Sequence, residues 1–395
     1  MNYLDHIKER VKSPKETKIL TEDMMWQHHG PLVWKADQFD GTPRFYPVYK
    51  YEGYYSFSLL ALIILKGTLK INPAAERLAN QNKFNILDQG LLIDLDIERL
   101  GGALKFSKKI TNCDEYSRKL VDALKQDIKE IEEINNGFTN VIMCGGKDSL
   151  NLLLLPWKNP VIAVSAQPNY PLVCDFVRAN NLNIEVRPLE DSYSEEYLHE
   201  EIVELCCRVD SVHWRWAHHL RKIAKEYSGK LVIWKGQIGD AFMGPRWKTY
   251  IHPEVQPDLF LCKIYKKISA YLPNFITIYF GRKISARVEK TLWAKAAISQ
   301  GAHMGFIRAI TDSLVLSAYH GKHVQKVVMD VSLEHAVQKD IRMKIGELIV
   351  GKAVRYPSEN PSPPLSDIRN DAHRPDHLVE LMKEYGIKVV SNTKK

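Results

Sequence analysis

The six cysteines of this chain (Cys113, Cys144, Cys174, Cys206, Cys207 and Cys262) form no Cys-x-x-Cys pair, which argues against a zinc ribbon or a redox dithiol. Reduced and mostly packed thiols are expected. Long hydrophobic runs are also missing. The longest, residues 58–65, is far shorter than a bilayer span, and the start Met1-Asn-Tyr-Leu-Asp-His lacks a signal peptide's basic and apolar regions. A cytoplasmic protein with no membrane role is the expectation. Charge of one sign is in modest excess. The net +8 is spread through residues 263–267, Arg282-Lys283 and Lys394-Lys395, so anionic small substrates suit it as readily as nucleic acid. A basic stretch is more often a solvated face than a nucleic-acid track, and nucleic acid is not the expected partner. The histidine-rich stretch 212–220 lacks the i, i+4 pair that a zinc site on one helix would use, since His213 is followed only by His218 and His219.

What is present points to an α/β protein. The length permits one large α/β domain with a smaller one attached. Residues 1–110 differ from the rest, with turn-rich aromatic sequence at 46–51 and 53–57 and strand-like runs at 90–95 and 103–106. From 114 to 133 the apolar residues Leu120, Leu124, Ile128 and Ile131 recur at helical spacing. Strands are then predicted at 140–144, 161–165, 183–187 and 231–234, with helices at 170–180, 195–209, 211–227 and 334–350. Alternation of this kind implies a doubly wound parallel sheet whose ligands sit at the carboxyl ends of the strands.

Two motifs fall at such ends. The first is Val141-Ile-Met-Cys-Gly-Gly-Lys-Asp-Ser149. Gly145 and Gly146 can take backbone conformations closed to other residues, turning their N–H groups into a nest for a phosphate. Asp148 and Ser149 would open a helix, where anions are favoured, and the Asp148 carboxylate can hold Mg²⁺ against phosphate oxygens. The Walker spacing is absent, because here the lysine, Lys147, precedes an aspartate. The pattern resembles the Ser-Gly-Gly-x-Asp-Ser pyrophosphate loop of the ATP pyrophosphatase superfamily, with Cys144 at the first serine position. The second motif, Trp234-Lys-Gly-Gln-Ile-Gly-Asp-Ala-Phe-Met-Gly244, resembles the Ser-Gly-Glu-Gly-Ala-Asp-Glu-x-Phe-Gly-Gly signature of the asparagine synthetase family, which includes β-lactam synthetases and lasso-peptide cyclases. The resemblance covers roughly residues 114–366.

This resemblance implies an adenine-nucleotide α-hydrolase-like fold over residues 111–395, with a helical C-terminal part and a small N-terminal β-containing domain at 1–110. It implies ATP bound at Cys144, Gly145, Gly146, Lys147, Asp148 and Ser149, with Gly236 admitting the nucleotide and Val164 and Ser165 flanking adenine. Asp148 and Asp240 correspond to the family's magnesium aspartates. Gln237 stands beside the acyl intermediate, where synthetases carry glutamate. Residues 321–330 are similar to the segment carrying the family's glutamate near the attacking amine, which puts His323 in that place. Its imidazole suits proton removal near neutral pH, and a histidine packed on a helix is the alternative. Lys352 or Arg355 is the candidate for the basic residue that steadies pyrophosphate; either also suits a helix C-terminus.

Glutamine-dependent relatives begin with a nucleophilic cysteine, whereas this chain begins Met1-Asn2 and has no cysteine before Cys113. Glutamine hydrolysis in cis is not expected. The resemblance implies that residues 1–110 are a shortened remnant of that amidohydrolase domain or a replacement for it. The implied activity is an ATP-dependent, AMP- and pyrophosphate-forming amide ligase. Its substrates would be a small-molecule or peptide carboxylate and either an amine or ammonia, the ammonia free or from a separate glutaminase. Two alternatives stand beside it: base modification of tRNA or a nucleobase by the same adenylation, and a catalytically silent interaction protein. The substitutions at Cys144, Gln237 and Ala241 are the evidence for the last. The tail past residue 390 is expected to be disordered.

Overall fold

In the computed structural model the described residues are 109–190, 217–236, 239–243, 313–331 and 341–357, with short segments of the first hundred residues and the strand Lys388–Ser391. The N-terminal segments form strands β1 (Trp34–Lys35), β2 (Val48–Tyr51), β3 (Tyr54–Ser56), β4 (Thr68–Ile71) and β5 (Asp96–Glu98). The aromatic runs that read as turn-rich are the arms of an antiparallel pair, with Tyr51 opposite Tyr54, in a sheet ordered β1-β3-β2-β5. The strand-like runs at 90–95 and 103–106 lie outside the described residues.

Helix α1 (Cys113–Ile134) starts where its sequence says it should. The Asn112 side chain accepts from the Glu115 N–H at 2.7 Å, and two acids follow in the first turn. Its buried stripe includes Leu120, Leu124, Ile128 and Ile131, the four positions that set its periodicity. Next come β6 (Thr139–Met143), α2 (Lys147–Leu153), β7 (Val161–Ala166), α3 (Tyr170–Ala179), β8 (Glu185–Leu189), α4 (Ala217–Glu226), β9 (Leu231–Lys235) and α5 (Gly239–Phe242). After them run β10 (Leu314–Ser317), a 3₁₀ turn (Ala318–His320), α6 (Lys322–Asp330), α7 (Ile341–Val350) and β11 (Lys388–Ser391). The helix predicted at 195–209 falls outside the described residues.

Strands β10-β9-β6-β7-β8 make one five-stranded sheet, parallel throughout. Strands β6 and β9 are buried at every position, as expected of a sheet covered on both faces. The edge strand β8 is less buried, tolerates Pro188, which has no N–H to give a neighbour, and runs over 185–189, two residues later than its apolar pattern predicts. The order reverses between β6 and β9: the chain steps from β6 to β7 and β8 on one side and from β9 to β10 on the other. This arrangement is consistent with a doubly wound α/β fold.

A polar network is built into the core beside that reversal. The Trp234 indole donates to Asn140 Oδ1 at 2.8 Å, and Asn140 Nδ2 donates to Glu132 at 2.9 Å. Glu132 also accepts the Lys158 and Asn159 N–H groups, so the carboxylate is buried but satisfied. Five residues earlier on α1, Asp127 caps α6, its two oxygens accepting the His323 N–H at 3.1 Å and the Val324 N–H at 3.0 Å. A Cβ on Gly321 would lie 1.9 Å from that carboxylate, so the cap requires glycine there. Strand β11 pairs in parallel with β4 as far as Ser391, and the remainder of the tail expected to be disordered lies outside the described residues. Among the described residues no helix is long and apolar enough to cross a membrane.

Candidate active site at the reversal of strand order

The glycine loop leaves the end of β6 and is stitched to β7. The Cys144 N–H donates to Val164 O at 2.8 Å, and the Ser165 hydroxyl donates to Cys144 O at 2.6 Å. Val164 and Ser165 are both buried, and the Ser165 hydroxyl is spent on this contact. Cys144 is also a core residue; its thiol lies 3.6 Å from Ile142 O, and burial pushes its pKa up, so it stays protonated. It does not replace the hydroxyl of the serine expected there.

The next turn is held by Ser149. Both the Gly145 and Gly146 N–H groups point at Ser149 Oγ, at 3.1 and 3.2 Å, and that hydroxyl donates to Gly146 O at 2.8 Å. Two amides converging on one oxygen is the nest geometry that suits a phosphate oxygen. The reason for glycine differs from the sequence expectation. Neither residue has positive φ, and Gly146, at φ −171°, is extended backbone open to any residue. Gly145 instead faces open space, with nothing within 4 Å of an added Cβ. Lys147 and Asp148 follow as the first residues of α2.

The second motif closes against the first. A Cβ on Gly236 would lie 2.5 Å from Ser149 N and 2.7 Å from its Cα, and one on Gly239 would lie 2.7 Å from Asp148 Cβ. The two glycines therefore let the end of β9 and the start of α5 touch the glycine loop. Asp240 is the next residue of α5; its side chain, and all of Gln237, lie outside the described residues.

The basic group that meets Asp148 is Arg342, which the sequence reading passed over. Arg342 Nε lies 2.7 Å from Asp148 Oδ1, off the line of a hydrogen bond, so charge attraction holds the pair. Arg342 stands in the first turn of α7, which packs on α1 and α2. Its carbonyl accepts from Asn151 Nδ2 at 2.9 Å, and the Tyr319 hydroxyl donates to Asp148 O at 2.9 Å. Burial, then the Asp148 charge, raises the Tyr319 pKa well above the ordinary phenol value, keeping this donor protonated. The Tyr356 hydroxyl meets Asn151 Oδ1 over the bare α-carbon of Gly346.

Lys352 and Arg355 stand elsewhere. They follow α7, whose last residue, Val350, lies about 12 Å further along the axis than Arg342 at ~1.5 Å per residue. The Arg355 backbone is clasped by Asn180, the residue that ends α3, at the side of the sheet where β8 begins rather than where the glycine loop leaves it. Both side chains are exposed. His323 is on α6 with its Nε2 2.9 Å from Glu130 of α1, so its ring is engaged there. His219 accepts the Glu190 N–H at 3.1 Å through Nδ1. Among the described residues no cluster of three or more His, Cys, Asp or Glu side chains could hold a metal ion, which leaves Asp148 as the described carboxylate of the site. Nothing local singles out Arg342 in the sequence, since Lys344 and Glu347 share its helix, and its partner is fixed by the packing of α7 on α2.

No protein-family model matches the chain, and no curated protein matches it.

Proposed function

We propose that this chain is an ATP-dependent ligase that activates a substrate carboxylate as an acyl-adenylate, releasing pyrophosphate, for attack by an amine or ammonia. The observation that carries this reading is the contact between the two motifs: Gly236 and Gly239 lie directly against Ser149 and Asp148, at the carboxyl ends of β6 and β9 where the strand order reverses. Ligands of doubly wound sheets bind at such a point. An adenine-nucleotide α-hydrolase-like identity for the fold belongs to the same proposal.

Each side chain then has a task. The Gly145 and Gly146 amides would turn from Ser149 Oγ to a phosphate oxygen. The residues fit a magnesium ion in kind, since Asp148 offers a carboxylate and Gly239 brings Asp240 to within a residue of it. A bound ion of this type supplies charge neutralisation on phosphate oxygens. Arg342, already beside Asp148, is the basic group best placed to pair with the leaving pyrophosphate, ahead of Lys352 and Arg355. The Tyr319 hydroxyl holds the Asp148 backbone in place.

A carboxylate oxygen would attack the α phosphorus, and the bond from that phosphorus to the bridging oxygen would break, with pyrophosphate leaving on the electron pair. The amine would then form the carbon–nitrogen bond as the bond from the acyl carbon to the phosphate oxygen breaks, AMP leaving with the electron pair and the amine proton passing to water. Orientation of the reactants and fixed charge are the contributions asked of the protein. His323 is not assigned the amine proton, because its contacts among the described residues are to Asp127 and Glu130 of α1 and none joins it to the glycine loop.

Calorimetric titration of ATP with magnesium into the full chain tests the reading. Binding in the wild type that is lost in Asp148→Asn, with folding intact by circular dichroism, is the expected result; equal binding in both would remove Asp148 from the site.

A further inference from the structure

The turn that follows β7 carries a polar side chain with no structural task. Asn169 is 8 % exposed, and its Oδ1 is enclosed without a hydrogen-bond partner. Asparagine directly before a helix ordinarily caps it through its side chain. Asn169 does not: its backbone angles, φ −82° and ψ −19°, are already helical, and it makes no side-chain bond to α3. Its main chain is satisfied, with N–H donating to Ala166 O at 2.9 Å and C=O accepting from the Val173 N–H at 3.1 Å. Enclosed polar atoms without a partner, such as this Oδ1, are rare in folded proteins and ask for a reason.

Position supplies the reason. The Asn169 turn stands at the carboxyl end of β7, the strand whose Val164 and Ser165 hold Cys144 at the start of the glycine loop. We propose that the Asn169 carboxamide is the base-reading group of the nucleotide site, rotating about its side-chain bonds to accept from the 6-amino group of adenine and donate to N7. A carboxamide presents one acceptor beside one donor, which matches that edge of adenine; guanine offers two acceptors there and can satisfy only one half of the amide. The inference rests on the ATP reading above and adds to it a residue that selects the base.

The test uses the full chain, its Asn169→Leu variant and three probes with magnesium: ATP, inorganic tripolyphosphate, and purine riboside triphosphate, which lacks the 6-amino group. The wild type binds ATP about tenfold more tightly than purine riboside triphosphate, the equivalent of about 1.4 kcal/mol, and Asn169→Leu binds the two equally. Tripolyphosphate affinity stays within about twofold between the two proteins, and the ligand-free melting temperature does not fall, because the amide has no partner to lose. The comparison of two ligands on one protein stands even if the substitution perturbs folding. A wild type that binds ATP and purine riboside triphosphate equally, or a variant that keeps the preference, overturns the inference while leaving the ATP site intact. A wild type that binds no ATP overturns the reading of the site and the inference with it.

Discussion

Replacing Gly236 by alanine should injure this protein, and replacing Gly145 should not. At Gly236 the new Cβ would sit 2.5 Å from Ser149 N, 2.7 Å from its Cα and 2.8 Å from its Cβ. Carbon atoms at rest stand about 3.5–4.0 Å apart, so β9 and the glycine loop must separate by about 1 Å. Two of the three atoms met are main chain and cannot rotate away. Overpacking of this kind costs about 1–3 kcal/mol, and the upper half of that range is expected here. At Gly145 nothing lies within 4 Å and φ is not positive, so alanine should change stability by less than about 0.5 kcal/mol. Urea denaturation followed by far-ultraviolet circular dichroism reads both. A clear fall in midpoint for Gly236→Ala with none for Gly145→Ala is the expected pair. A stable Gly236→Ala protein would refute the contact between the motifs, and with it the geometry on which the site is built.

Three further outcomes follow from particular groups. Burial lifts the Asp127 carboxyl from its ordinary 3.8 to about 6, against the pull of the His323 and Val324 amides. Between those values the folded chain keeps a proton the unfolded chain has lost, so this group's contribution falls as pH rises from about 4 to 6, by on the order of 2–3 kcal/mol, and is flat above. Urea midpoints at pH 4.5 and 7 should show that decline in the wild type relative to Asp127→Asn; parallel changes in both would remove Asp127 as its source. Asn140→Leu strands the Trp234 indole and removes one of the donors to Glu132, which keeps the Lys158 and Asn159 N–H groups, and should cost about 1–3 kcal/mol, measured by the same denaturation. Arg342→Leu removes the guanidinium beside Asp148 and should lower stability by about 1–3 kcal/mol while weakening pyrophosphate binding in a calorimetric titration; unchanged pyrophosphate affinity would exclude Arg342 from the site.

The parts of this molecule that were legible in its sequence are those set by local pattern. The α1 stripe follows from helical spacing, and the buried runs of β6, β7 and β9 from continuous apolar sequence, because each reports burial through its own side chains. The nearness of the two glycine motifs follows from their places at strand ends in an alternating chain. What was not legible depends on packing between distant segments. Arg342 reaches Asp148 only because α7 lies on α2, whereas Lys352 and Arg355, chosen by their order after a helix, fall beyond its far end. His323 had the right residue type for a base, but the side chain opposite it, Glu130, is decided by how α6 meets α1. The glycine pair was recognised for a conformational reason it does not use; open space at Gly145 and convergence of both amides on Ser149 Oγ are properties of the folded turn. The pairing of β11 with β4 joins short segments from opposite ends of the chain and leaves no periodic signal.

ATP turnover by the full chain tests the central claim most directly. The assay uses magnesium, a mixed pool of small carboxylic acids and amines, and chromatographic resolution of AMP, ADP, pyrophosphate and phosphate. The account predicts AMP and pyrophosphate in equal amounts, dependent on the acids, with the consumed acid identified by mass. ADP with inorganic phosphate would contradict it, as would a nucleotide pool left untouched by a protein that shows no magnesium-dependent ATP binding.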